Sequence, residues 1–368
     1  MAQGVLAILG SGETAPGMTK IHREILKAVQ PKNAVNIDTA YGFQLNVPQM
    51  SEKLEKYFDA SLHVKLTTLH FPSYVRASEL DRMIFKQQVR QADYVFAGPG
   101  SPTYALAQWA PLHFEEDLLS VLDKGGALCI SSAASLTLGA FTAPIYEVYK
   151  VGDPSPTWRT GLNVLEHIGL RCVVIPHFDN NEGGNYDTRF CYLGEVRLVA
   201  LEEQLPDGVA TLGVDEHTAA ILDIAHDTIT VRGRSNVYWR LRGEQKVLRN
   251  GSTTDLGELR DSAPTPRPIR EIAESFVDRG PADLARIAAT GGQEATTALA
   301  QLVQLAATGG EGFIDPTPLV EGILKARVNA RSIGQYELAD QLRDVLVTAG
   351  FEIRDEPSGT TWEFRASN

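Results

Sequence analysis

A serine in a run of small residues is the chain's best candidate nucleophile. The run is Ser131-Ser132-Ala133-Ala134-Ser135, and it follows an apolar segment at residues 127–130. Small neighbours permit the sharp strand-to-helix turn that holds a nucleophile near backbone N–H groups, and Ser132 is the natural occupant of that turn. Ile130 and Ala134 stand where a G-x-S-x-G turn has glycines. The same residues also fit an ordinary helix start capped by Ser131 or Ser132.

A histidine that follows another apolar segment is the candidate general base. His177 comes two residues after the segment 172–175, and a polar stretch follows it. A serine–histidine pair requires an acid that orients the imidazole. Glu147, Asp179 and Asp187 are the candidates for that acid.

A glycine turn after a third apolar segment could stabilise a developing oxyanion. Gly98-Pro99-Gly100 follows residues 94–97, so the N–H of Gly100, together with that of Ala133, could form an oxyanion hole. An ordinary β-turn with proline in its second position accounts for the same residues.

The elements around these residues indicate an α/β fold. Short runs of Val, Ile and Leu alternate with amphipathic stretches up to about residue 235, which predicts a mostly parallel sheet flanked by helices. Closely spaced apolar runs after Gly213 predict antiparallel strands at one edge of that sheet. Because chemistry in open α/β sheets gathers at the carboxyl ends of strands, the three strand ends should converge on one crevice.

Composition restricts the classes of function. The 368 residues suffice for two or three domains, and no stretch is long and apolar enough to span a membrane. The three cysteines form no C-x-x-C pair, which favours a reducing cytoplasm and argues against a structural metal; no cofactor is expected. A net charge of −12 disfavours bulk attraction to nucleic acid or anionic lipid.

Two further motifs carry less weight. Residues 10–15 fit the phosphate-binding pattern G-x-G-x-x-A, but Pro16-Gly17 interrupts the point where a helix should begin, and the loop would also line a hydrolase crevice. Asp215-Glu216 with His217 could be a metal cluster, although a solvated turn before a strand is the commoner meaning of adjacent acids.

Residues 4–250 resemble the peptidase E and cyanophycinase family, which are serine hydrolases of class I glutamine-amidotransferase-like (flavodoxin-like) fold. The resemblance lies in Gly98-Pro99-Gly100, Ser131 to Ala134, Pro176-His177-Phe178, Asp187-Thr188-Arg189 and the segment 213–219. It implies Ser132 as nucleophile, His177 as base, Glu147 as third member, and an oxyanion hole of Gly100 and Ala133. It also implies that Arg189 holds a substrate carboxylate, with Asp187 and Asp179 as further substrate-binding residues.

The C-terminal part is predicted to be a separate module. A Pro- and Ser-rich linker is expected at 251–268, followed by a small all-α domain at 269–368. Within it, 318–364 resembles the C-terminal helical hairpin of cysteinyl-tRNA synthetases, which lies near tRNA in those enzymes. Four basic residues could form a stripe there: Lys325, Arg327, Arg331 and Arg343. Against that, residues 269–368 hold nine Arg and Lys but fifteen Asp and Glu.

Two functional hypotheses follow. The first is a cytoplasmic serine peptidase or amidase that cleaves a peptide or isopeptide amide next to an acidic residue, with no membrane partner. The second is a catalytically inactive binding protein whose C-terminal module docks on tRNA, another RNA or a protein. A homodimer is compatible with either hypothesis.

Overall fold

The computed structural model describes residues 4–153, 156–241, 244–260, 317–332, 336–348, 351–356 and 359–364. The chain divides into two compact units, Met1–Thr265 and Pro266–Asn368.

An eight-stranded sheet forms the centre of the first unit. Its five parallel strands lie in the order β1, β5, β4, β2, β3, and three antiparallel strands β10, β11 and β14 extend it beyond β1. The bounds are β1 Val5–Leu9, β2 Ala34–Ile37, β3 Leu66–Leu69, β4 Tyr94–Ala97, β5 Ala127–Ser131, β10 Thr218–Asp223, β11 Thr228–Gly233 and β14 Thr253–Asp255.

Both faces of the parallel strands are buried, as their continuous apolar sequences predict. Alternate residues belong to two separate cores: Ile8 and Leu128 lie in one, and Leu9 and Cys129 in the other. The helices and short helical turns that supply the cover are α1 Pro16–Val29, α2 Val47–Tyr57, α3 Glu79–Gln91, α4 Pro102–Trp109, α5 Phe114–Asp123 and the turns Thr39–Tyr41, Phe58–Leu62 and Ala110–Leu112. The α/β class with a mostly parallel sheet is therefore confirmed.

A second, four-stranded sheet completes the first unit, in the order β13, β12, β9, β8. Its strands are β8 Cys172–Ile175, β9 Ala210–Val214, β12 Val237–Leu241 and β13 Glu244–Leu248, and β8 and β9 are parallel. The other elements of this unit are α6 Ala133–Leu136, α7 Gly194–Glu202, α8 Gly257–Arg260, the two-stranded β6 Phe141–Thr142 and β7 Arg159–Thr160, and the short helical turns Glu147–Val151 and Val164–Ile168.

Two sequence expectations for this unit need correction. The strand before His177, expected in the main sheet, belongs to the second sheet. The linker expected from residue 251 is packed as far as residue 260, because β14 pairs with β11 and Leu256 and Leu259 are completely buried. Leu256 and Leu259 follow β14 by one and four residues, and their buried side chains hold this polar stretch against the core.

The described part of the second unit contains two helices and a hairpin. They are α9 Thr317–Ser332, α10 Tyr336–Thr348, β15 Phe351–Glu356 and β16 Gly359–Phe364. Val320 and Leu346 are buried together with Phe351 in one apolar core. The expectation of an all-α module is thus corrected, since the alternating residues Phe351 and Ile353 place an antiparallel hairpin on the helices. The helices expected at 269–307 lie outside the described residues.

Candidate active site

Ser132 occupies a strained turn between β5 and α6. Its backbone has φ +50° and ψ −126°, a conformation that non-glycine residues rarely adopt. Hydrogen bonds hold the turn on both sides: the Ser132 N–H donates to the Leu9 carbonyl at 3.0 Å, and the Ala134 N–H donates to the Gly98 carbonyl at 3.3 Å. The turn therefore forms although Ile130 and Ala134 replace the glycines of the usual pattern.

His177 reaches Ser132 from the end of β8. The imidazole Nε2 lies 2.8 Å from the Ser132 Oγ, and the side chain is about one-fifth exposed. Its backbone also lies in the left-handed region, with φ +48°, and its N–H donates to the Gly10 carbonyl at 3.3 Å. The main sheet thus holds the histidine at the nucleophile even though the preceding strand belongs to the other sheet.

The carboxylate on the far side of the imidazole is Glu216. Its Oε1 lies 2.8 Å from His177 Nδ1 and also accepts a hydrogen bond from Asn180 Nδ2 at 3.1 Å. The hydrogen bond to His177 is the main cause that lowers the pKa of Glu216, burial opposes it, and Asn180 adds to the lowering. An ionised Glu216 that accepts Nδ1–H leaves Nε2 free to accept the serine proton.

Glu216, the acid hydrogen-bonded to the imidazole, is not one of the three acids considered from the sequence. Glu147 lies in the short helical turn after residue 146, and its Oε2 is buried without a hydrogen-bond partner among the described residues. Asp179 acts one step further out, since it accepts the Glu216 backbone N–H at 2.7 Å. Asp187 pairs with Arg189 instead. The assignment of Glu147 as the residue on the imidazole is therefore corrected to Glu216.

A signal for Glu216 exists in the sheet register. Because β8 and β9 are parallel neighbours with Ile175 opposite Gly213, the residues just beyond these two positions lie side by side. His177 and Glu216 are two and three residues beyond them. The sequence contained both segments, but it did not show that they were adjacent strands.

The two residues expected to form the oxyanion hole follow the neighbouring parallel strands β4 and β5. Gly100 has φ +149°, and a Cβ there would lie 1.9 Å from the Ala40 carbonyl oxygen, so the position requires glycine. Ala133 is the first residue of α6, directly after Ser132. In the described part of the chain, neither the Gly100 nor the Ala133 N–H donates to a protein acceptor. Both donors are thus available to a ligand.

Arg189 is bound within its own loop. Its Nε and Nη2 donate to Asp187 Oδ1 and Oδ2, each at 2.9 Å, and Nη2 lies 3.4 Å from Glu195. The hydrogen bond from Arg189 is the main cause that holds the pKa of Asp187 well below its usual range. The guanidinium is half exposed, and Asp187 occupies its Nε–Nη2 edge.

The loop behind His177 contains an unusual left-handed turn. Phe190, Cys191 and Tyr192 have φ values of +60°, +56° and +67° in succession. The Cys191 N–H donates to the His177 carbonyl at 3.1 Å, and the Phe190 N–H donates to the Phe178 carbonyl at 3.0 Å. A strained backbone conformation persists only where surrounding contacts hold it in place, and here those contacts are hydrogen bonds to the backbone of His177 and Phe178.

The basic residues of the second unit do not form one exposed stripe. Arg327 is only 1% exposed, and its guanidinium donates to both Asp355 oxygens at 2.7 and 2.6 Å. Arg331 is half exposed and lies 3.9 Å from the same carboxylate. Lys325 and Arg343 are exposed. Arg327 therefore stabilises the unit, and the exposed residues are the ones available to a partner.

Metal and membrane features were also sought across the described ranges. No group of three or more His, Cys, Asp or Glu side chains there could hold a metal ion. No described helix is both long and apolar enough to cross a membrane.

Sequence comparisons relate the chain to cysteine–tRNA ligases, although no family model matches it. The ligase of Nitratidesulfovibrio vulgaris is 46% identical over 50 residues, which are 14% of this chain and 10% of the ligase. That of Pseudomonas fluorescens is 24% identical over 265 residues, covering 57% of this chain and 56% of the ligase. The chain thus spans from 10% to 60% of the length of the curated relatives it matches.

Solved structures relate the fold to peptidases. A peptidase from an acI-B1 actinobacterium aligns with a TM-score of 0.56 at 20% identity, covering 69% of this chain and 97% of that one. A putative peptidase E protein from Listeria monocytogenes aligns with a TM-score of 0.42 at 14% identity, covering 67% and 99%. The first alignment shows a shared fold. Both resemblances drawn from the sequence are therefore confirmed, the peptidase one at the level of fold.

Proposed function

We propose that the first unit is a serine peptidase or amidase, with Ser132 as nucleophile, His177 as general base and Glu216 as the acid that orients it. The observation that carries the proposal is the continuous chain of two 2.8 Å contacts from Ser132 Oγ through the imidazole to Glu216. The strained backbone of Ser132 supports it, because such strain concentrates at functional sites.

The geometry favours acyl transfer through a covalent intermediate. Ser132 Oγ attacks an amide carbonyl carbon while its proton passes to His177 Nε2. The oxyanion of the tetrahedral intermediate accepts hydrogen bonds from the Gly100 and Ala133 N–H groups, and Glu216 stabilises the imidazolium. His177 then gives the proton to the leaving amine, which leaves an acyl-enzyme. Water, activated by His177, hydrolyses this ester and regenerates the serine.

The substrate class that we propose is a peptide or isopeptide amide next to an acidic side chain. Arg189 would hold that carboxylate by exchanging it for Asp187, since a guanidinium fork binds a carboxylate in bidentate fashion. The exposed position of the Arg189–Asp187 pair supports such an exchange, because a substrate carboxylate can reach the guanidinium from solvent.

A fluorophosphonate probe tests the nucleophile. Intact-mass measurement should show one adduct on the wild-type protein and on the control Ser78→Ala, which removes an exposed serine of a helix cap. Ser132→Ala should show none while its circular dichroism is unchanged. An adduct that persists in Ser132→Ala would refute the assignment, and so would the absence of any adduct on the wild type.

Peptide hydrolysis tests the acidic preference. Among amide substrates that differ only in Asp or Asn next to the scissile bond, the Asp substrate should have the higher kcat/KM, and Arg189→Met should remove the difference. Arg197→Met is the control, because Arg197 contacts only the Leu193 carbonyl among the hydrogen bonds seen here. An undiminished Asp preference in Arg189→Met would refute the exchange.

A second candidate function concerns the C-terminal unit, and the 46% identity to a cysteine–tRNA ligase over 50 residues favours it. We propose that this unit docks on tRNA through Lys325, Arg331 and Arg343, three of the exposed basic residues in its described part. Binding of the full chain to mixed tRNA should weaken several-fold in Arg331→Glu plus Arg343→Glu and should fall steeply with salt. The matched control is Arg354→Glu, since Arg354 already pairs with Glu352. Equal binding by both variants would refute this docking.

A further inference from the structure

A second histidine–carboxylate pair lies on the edge of the sheet that carries Ser132. His70 Nδ1 lies 2.5 Å from Asp38 Oδ2, and Asp38 Oδ1 accepts the Phe71 N–H at 3.0 Å. Asp38 is buried, whereas the His70 side chain is 63% exposed. Its Nε2 makes no hydrogen bond to another described residue. A buried carboxylate thus fixes the orientation of an imidazole whose second nitrogen is open to a ligand.

The strand register gives the distance from His70 to Ser131, the residue before the nucleophile. One row of paired residues runs across four parallel strands, namely Leu69, Ile37, Ala97 and Ile130. His70 follows the first of these residues and Ser131 follows the last. Three strand spacings of about 4.8 Å separate them, or roughly 14 Å. An extended peptide covers that distance in about four residues.

Aromatic side chains stand beside this pair. The rings of Phe43 and Tyr104 are 5.1 Å apart, and Phe43 is 45% exposed. The Tyr104 hydroxyl donates to the carbonyl of Pro72, two residues after His70. Burial is the main cause that raises the pKa of Tyr104, and the charges of Arg76 and Asp38 act on it in opposite directions. One cation and one anion therefore lie near the ring pair, and their charges offset each other.

We propose that His70 is a substrate-binding residue that accepts a hydrogen bond from an uncharged primary amide, the side chain of an asparagine or glutamine about four residues from the scissile bond. In the neutral tautomer that donates Nδ1–H to Asp38, Nε2 is an acceptor and pairs with an N–H donor. Asp38 disfavours a carboxylate in this subsite, and Arg76 disfavours an ammonium group. The Phe43 and Tyr104 rings, which meet edge to face at 61°, offer an apolar corner to the amide. The inference rests on the proposed peptidase function and extends it to a remote specificity subsite.

Equilibrium binding to Ser132→Ala tests the subsite without requiring catalysis. The probes are fluorescein-labelled peptides with one Asp and, four residues to its amino or its carboxyl side, Gln, Glu, Lys or Met; binding is followed by fluorescence anisotropy. In one of the two directions, the Gln peptide should bind roughly three- to tenfold more tightly than the other three.

Substitutions of His70 in the Ser132→Ala background identify the group responsible. His70→Asn keeps an amide N–H for Asp38 but has no acceptor at the Nε2 position, so the Gln preference should disappear. His70→Gln places an oxygen near that position and should restore part of it. The control is His226→Asn. His226 is an exposed histidine that contacts Asp223 at 2.9 Å, and Asp223 pairs with the first residue of β1, at the amino ends of the parallel strands and so at the opposite end of the sheet from His70.

The outcomes separate this inference from the proposed function. Equal affinity for all four peptides, no measurable binding of any of them, or a Gln preference that survives in His70→Asn would each overturn the subsite. A His70-dependent Gln preference in a protein whose Ser132 takes no fluorophosphonate would support the binding site and refute the peptidase. Thermal unfolding of His70→Asn at the wild-type temperature would exclude a folding defect.

Discussion

Replacing Glu216 by glutamine is the most direct test of the site's electrostatics. Glu216→Gln keeps the size of the side chain and removes the charge that faces His177 Nδ1 at 2.8 Å. The imidazole becomes an imidazolium as it takes the serine proton, so the lost attraction raises the barrier of that step. The rate of fluorophosphonate labelling at Ser132 should therefore fall.

The size of the effect follows from the distance and the exposure. Two unit charges whose centres are about 4 Å apart attract by about 4 kcal/mol at an effective dielectric constant of about 20. The Glu216 and His177 side chains are 27% and 20% exposed, so solvent screens part of that attraction. A remaining attraction of about 2–3 kcal/mol corresponds to roughly 30- to 150-fold slower labelling.

Glu147→Gln is the matched control, because Glu147 was the acid expected from the sequence. Its labelling rate should stay within about threefold of the wild-type rate. Second-order rate constants from the time course of intact mass would measure both variants. The reasoning would be refuted if Glu216→Gln labelled at the wild-type rate, or if Glu147→Gln slowed labelling as much as Glu216→Gln.

Three further predictions concern packing, ion pairing and thiols. Gly100→Ala should lower the free energy of unfolding by at least about 2 kcal/mol in denaturant titration, because the new Cβ would lie 1.9 Å from the Ala40 carbonyl oxygen. The control Gly17→Ala has open space around it and should be neutral or stabilising by up to about 1 kcal/mol. Equal effects of the two substitutions would contradict this prediction. Arg327→Met should destabilise the C-terminal unit by about 2 kcal/mol, with little change in Lys325→Met, because the guanidinium is buried but the Asp355 carboxylate is partly exposed. Because the hydrogen bond from Arg327 lowers the pKa of Asp355, the pair stabilises fully above the ordinary aspartate value of 3.8, and this contribution should decline progressively as the pH falls below that value. Thermal unfolding between pH 5 and pH 2 should therefore show a steeper loss of stability in the wild type than in Arg327→Met. None of the three thiols, Cys129, Cys172 and Cys191, should react with Ellman's reagent in the native protein, because all three are buried. Burial also raises the pKa of Cys129 and of Cys191 to about 12. Rapid reaction of the native protein would contradict this burial.

Local sequence was enough to predict part of the site. Ser132 and His177 each follow an apolar segment, and small residues around Ser132 and polar residues after His177 indicate where the strand ends. Their positions at strand ends could therefore be predicted without knowing which strands are neighbours. Gly100 could be predicted in the same way. These expectations require only that the strand ends meet at one edge, and the structure brings Ser132 and His177 together there.

The third member of the site depended on information that local patterns do not contain. Glu216 is adjacent to His177 because β9 pairs with β8, and this pairing joins residues about 40 positions apart. In sequence, the adjacent acids Asp215 and Glu216 are typical of a solvated turn, so local pattern did not indicate a role for Glu216 in the site. Likewise, the packing of residues 253–260 depends on Leu256 and Leu259 fitting a core that forms elsewhere in the sequence.

The site is assembled across two sheets, and the end of β1 connects them. The Leu9 carbonyl accepts the Ser132 N–H, and the next carbonyl, that of Gly10, accepts the His177 N–H. A Cβ on Gly10 would lie 2.0 Å from the carbonyl oxygen of Asp215, the residue before Glu216. Backbone contacts from two successive residues thus fix the nucleophile and the base, and close packing fixes the segment that carries the acid. In sequence, the glycine-rich loop after β1 resembles a nucleotide-binding motif. In this fold, the end of β1 and the start of that loop position the three residues of the candidate site.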